Sequence, residues 1–189
     1  MIMVISMECI SKRELEIIKR FRLLWNQHSG WTIMAVNAIV LNLPNEEETV
    51  NRLLKNPCDF GKTLSNFYGR RVGYRFMELL TEHLTLAADL IKANLACNTK
   101  EAEEICKKWY QNGNEIAKFL ARINPFWSES KWRDMFFEHL KHVDDNAITL
   151  MNKEYQKNIE SSDILEAQAM EMADMMSQGI IKQFCRKKR

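Results

Sequence analysis

Along most of this chain, apolar residues return every three or four positions, the period of one helix face. The first run passes through Leu15, Ile18, Phe21, Trp25, His28, Thr32 and Ala35. Ser11 with Glu14 forms a capping box ahead of it and Pro44 stops it, so the pattern predicts a helix over residues 12 to 43. Asn45 with Glu48 opens a short helix to Lys55, which Asn56-Pro57 ends. Cys58 to Gly73 holds three of the six glycines and reads as an ordered connection. Helical spacing then returns over Val72 to Ala96, restarts at Asn98 with Glu101 and runs to Arg122. Asn124-Pro125 ends that helix, Trp127 to Tyr155 makes another, and Ser161, Ser162 or Asp163 caps a last one that reaches Phe184. The tight link at Asn98 makes its two helices antiparallel neighbours. The expectation is all-α, an up-and-down helical bundle of roughly five or six helices.

The histidines add chemistry to that scaffold. Phe76 to Asp89 reads FMELLTEHLTLAAD and Trp132 to Asp145 reads WRDMFFEHLKHVDD, so both carry Glu-His-Leu and an Asp six residues after the His. On helices, His83 shares a face with Phe76, Leu79, Leu80, Leu86, Ala87 and Leu90, and His139 with Trp132, Met135, Phe136, Val143 and Leu150. His28 falls on the face of Ile17, Phe21, Leu24, Trp31, Ala35 and Ile39, whereas His142 sits at the edge of its own. A buried imidazole needs a partner, and inward histidines from different helices can share a metal ion. Glu82 and Glu138 lie about 100° round their helices from the adjacent histidines, so they flank the site and do not complete a di-iron carboxylate centre.

Composition narrows the remaining classes. Lys plus Arg number 27 against 25 Asp plus Glu, a balance that draws neither nucleic acid nor an anionic membrane. The one basic cluster, Arg186 to Arg189, reads as a solvated tail. The five cysteines are odd in number and form no CxxC pair, which suits a reducing cytoplasm. The first ten residues are an apolar lead-in with no signal-peptide pattern, and Trp31 to Leu43 is too short to span a bilayer. Residues 1–189 therefore read as a single domain, cytoplasmic, a monomer or weak homodimer, with its small-molecule partner unknown.

The strings LWNQHSGWT (24 to 32), LLKNPCDFG (53 to 61), FYG (67 to 69), LLTEHL (79 to 84), NPFW (124 to 127) and MADMMSQGIIKQF (172 to 184) resemble a widespread bacterial family of small helical proteins without a settled function. Some members carry the names acetylglutamate kinase or glycosyltransferase. The chain lacks a Gly-rich phosphate loop, a Walker pattern and any strand-helix alternation, the parts those chemistries use. The family pattern has an acidic residue before the first histidine and commonly a histidine where this chain has Glu166; here Gln27 and Glu166 stand instead. The inward His28, His83 and His139, with Glu166 at the fourth position that the resemblance points to, make a candidate metal set that suits zinc, iron, manganese or nickel. With a turn near Asn158, Glu166 would lie roughly 16 Å from the level of His139 at about 1.5 Å rise per residue. Either the helix of His139 ends early, near Leu150, or Asp174 or Glu115 supplies the acid. The competing reading is a metal-free interaction or sensory helical module whose histidines are structural.

Overall fold

The first helix starts as its capping box requires: the Ser11 hydroxyl accepts from the Glu14 amide at 3.3 Å, and the Glu14 carboxylate accepts from the Ser11 amide at 2.8 Å. In the computed structural model, which describes residues 10–185, this helix is α1 (Lys12–Val40). It is followed by α2 (Glu46–Leu53), α3 (Asn56–Tyr68), α4 (Arg70–Leu95), α5 (Thr99–Ile123), α6 (Glu129–Met151) and α7 (Tyr155–Phe184). The described residues contain no strand, and the protein is an all-α helical bundle. Most of the apolar lead-in and the basic tail fall outside the described residues. Among the described residues, no helix is long and apolar enough to cross a membrane.

Three boundaries differ from the sequence expectation, each for a local reason. Asn56-Pro57 begins α3 instead of ending α2, because proline in the first helical turn lacks only an N–H that would be unpaired there anyway. The glycines of the expected connection serve α3 and its junction with α4. Gly69, at φ 85°, makes the turn between the two helices. A Cβ on Gly73 would collide with the Gly61 carbonyl and the Ser65 hydroxyl, so these two glycines let α3 and α4 cross closely. Finally, α6 ends at Met151, and α7 begins well before Ser161. Ser161 and Ser162 instead accept from the Asn146 amide at 2.7 and 2.9 Å and donate to the Asn158 carbonyl, both at 2.9 Å, which ties α7 to α6.

The helices α1, α4 and α6 share one register, most easily counted from the histidine of each. Seven residues before it stand Phe21, Phe76 and Trp132, and three before it Trp25, Leu80 and Phe136, all in the main hydrophobic core. Eight residues after it stand Val36, Ile91 and Ala147, which form a separate apolar cluster with Ile39 and Leu150. Equal offsets meeting in the same cluster require the three helices to run in the same direction. The connecting chain between α4 and α6 is therefore the antiparallel α5, as the short link at Asn98 predicts.

Candidate metal centre

That register brings His28, His83 and His139 into one layer of the interior. Their exposures are 2%, 2% and 1%, and the rings of His28 and His139 lie 5.5 Å apart between centroids. Neutral imidazole has one donor and one acceptor nitrogen, so the tautomer decides what each ring can do. In all three, Nδ1 meets a side-chain amide oxygen: Asn56 Oδ1 at 3.2 Å, Asn112 Oδ1 at 3.0 Å and Gln168 Oε1 at 3.1 Å. Each amide nitrogen donates in turn to a backbone carbonyl, that of Leu24 at 3.0 Å, Leu79 at 3.1 Å and Met135 at 3.5 Å. These carbonyls all belong to the residue one helical turn before the histidine. With its nitrogen committed to a carbonyl, each amide can only accept from the ring. Nδ1 therefore carries the proton, and the lone pair is on Nε2.

Electrostatics keep the rings in that state. Burial pushes His28 down from 6.5 to about 4, and the neighbouring His83 adds to the effect while the Asn56 hydrogen bond opposes it. Burial likewise lowers His83 and His139 to about 3, helped by His139 for the first and His28 for the second. Each imidazole thus penalises a proton on another, and all are neutral donors at ordinary pH. Around them, the indole N–H groups of Trp25 and Trp109 are buried without an acceptor. Their rings stand 5.3 Å from His28 and 5.6 Å from His83.

The acidic candidates are elsewhere. The early end of α6 does put His139 and the middle of α7 at one level, but the residue facing the ring is Gln168. Glu166, two positions away and so about 200° round the helix, is exposed. Asp174 pairs with Arg22 at 2.6 Å, and Glu115 is exposed. Glu82 flanks the layer as expected and accepts from the Asn112 amide at 3.2 Å. His142 is partly exposed, with Nε2 3.7 Å from Glu138. Among the described residues, no three His, Cys, Asp or Glu side chains stand as a ready-made metal-ligand group. The three histidines share a layer without being closed on a common point.

Asn56, Asn112 and Gln168 were not singled out from the sequence, although a signal exists there. The histidine-to-amide separations are 28, 29 and 29 residues, a nearly constant spacing that relates side chains of different types. Comparison of the chain with protein-family models, curated proteins and solved structures gives no match.

Proposed function

We propose that the protein is a metal-binding helical bundle in which His28, His83 and His139 hold one transition-metal ion through Nε2. The observation that carries this reading is the threefold amide clamp. A histidine that serves packing alone needs no particular tautomer, whereas here three buried rings each hold Nδ1–H against a fixed amide acceptor, which leaves the lone pair on Nε2. Ligating histidines use this arrangement, since the second-shell acceptor fixes the tautomer and orients the ring. The donor set fits zinc, iron, manganese or nickel. Without Glu166 the protein supplies imidazoles only, so water or a substrate would take the remaining positions, and the ion would supply Lewis-acid or redox chemistry there. The near balance of charge supports a protein that binds neither nucleic acid nor an anionic membrane, and the odd number of cysteines without a CxxC pair supports a cytoplasmic location; in this reading the protein is a monomer or weak homodimer.

The test is elemental analysis of untagged protein purified without chelator, which is expected to give near-stoichiometric transition metal. His83→Ala should lose it while keeping its helical circular dichroism. At a free ion concentration a hundred times the dissociation constant, binding adds about 2.7 kcal/mol, or about 5 to 10 °C in Tm for a chain of this size. Protein that carries no metal, and melts at the same temperature with chelator and with added zinc, iron, manganese or nickel, would return the histidines to the competing reading of a metal-free module.

A further inference from the structure

One turn beyond the histidine layer, the interior is hollow. A cavity of about 160 Å³ is walled by Thr32, Ala87 and Val143, the residues four positions after the three histidines. Its sides separate two apolar clusters that would otherwise merge, one containing Val36, Ile39 and Ile91 and the other Ala35, Leu53 and Leu84. The side chains that reach it from α1 and α4 include three alanines, Ala35, Ala87 and Ala88, where larger residues would close the space. Thr32 supplies an independent sign of a ligand. It is 6% exposed, lines the cavity, and its hydroxyl oxygen has no hydrogen-bond partner. A helical threonine can satisfy its hydroxyl on the carbonyl one turn back, as Thr63 and Thr81 do at 2.8 Å. Thr32 does not. The outer rim is polar, with exposed Thr85, Asp89 and Lys92, and Lys92 pairs across to Glu46 of α2 at 2.8 Å.

We infer that this cavity binds a small, mostly apolar molecule whose single hydrogen-bonding end meets the Thr32 hydroxyl. An apolar protein cavity of about 150 Å³ takes up benzene, which sets the size class at roughly six to ten non-hydrogen atoms. A purely aliphatic guest would leave the hydroxyl unpaired, and a charged one would be stranded among Val36, Ile39, Leu53 and Ile91. The site does not depend on a metal, although it is lined by the residues one helical turn after the three histidines.

Phenol and toluene have nearly the same shape, with a hydroxyl in one where the other has a methyl, so they serve as probes. Both are titrated into the full chain stripped with chelator, with binding read from methyl resonances and Tm. A missing metal therefore leaves this result intact. Phenol is expected to shift the methyls of Val36, Ile39, Ile91 and Val143 and to bind about tenfold more tightly than toluene, the worth of roughly one net hydrogen bond. Thr32→Val should abolish that preference and keep toluene binding. Ala87→Leu should fill the cavity and abolish both, and the smaller Ala35→Val serves the same purpose should the leucine prevent folding. No methyl shift with either probe, phenol binding no tighter than toluene, or binding that survives both filling variants would overturn the assignment.

Discussion

The two sides of the histidine layer are built on the same three helices in the same register, yet one side is dense and the other hollow. Toward the start of α1, α4 and α6, the layer is covered by Trp25, Leu80 and Phe136 and then by Phe21, Phe76 and Trp132, each no more than 1% exposed. Toward their ends come Thr32, Ala87 and Val143 around the cavity. With register and helix direction shared, the smaller side chains Thr32, Ala87 and Val143 open the space that aromatic residues and leucine fill on the other side. Stability is concentrated on the aromatic side, and space for a guest on the other.

The largest test of that contrast is a pair of truncations. Phe76→Ala should lower unfolding stability by about 3 to 5 kcal/mol, the range for a buried phenylalanine in a packed core. Val143→Ala, beside existing empty space, should cost about 1 to 2 kcal/mol, because fewer packed atoms surround the lost methyls. Urea denaturation measures both, and equal losses would break the comparison. A more local experiment removes one clamp. Asn112→Leu keeps the volume but strands the His83 Nδ1–H, at an expected cost of about 1 to 3 kcal/mol and, in the metal reading, about 10- to 100-fold in ion affinity. Isothermal titration with zinc or manganese measures the second figure.

The fold was largely legible in the sequence because helical periodicity and caps such as Ser11 and Asn98 are local signals. The α3 segment was not, since Gly61 and Gly73 act through a contact between two helices, and isolated glycines look the same in a loop. In the candidate site, the inward faces of His28, His83 and His139 followed from spacing. The acid did not: Glu166 stood at the right height on the wrong face, and only the end of α6 at Met151 and the rotation of α7 select Gln168. The amides escaped notice because asparagine and glutamine carry no charge or metal-binding signature in one dimension.

Two smaller predictions sharpen the picture. In metal-free protein, the buried rings have folded pKa values of about 3 to 4 against 6.5 unfolded. Between those limits the unfolded chain binds more protons, so stability is full above pH 6.5 and falls on acidification, with each ring contributing on the order of 1 kcal/mol per pH unit. Chemical denaturation at pH 7.5, 6 and 5 measures the slope, and a flat profile would mean that the rings are not held neutral. His142, beside Glu138 at the surface, is the control: His142→Ala should stay within about 0.5 kcal/mol of the wild type in urea denaturation.

The amide clamps also bear on how the molecule assembles. Each joins residues only 28 or 29 positions apart, so each closes a short loop at a modest entropic cost, and contacts of that range favour fast folding. The orientation of every imidazole is consequently settled inside its own stretch of chain, with α1 and α3, α4 and α5, or α6 and α7 as the participants. The ring layer itself is completed only when the three stretches dock.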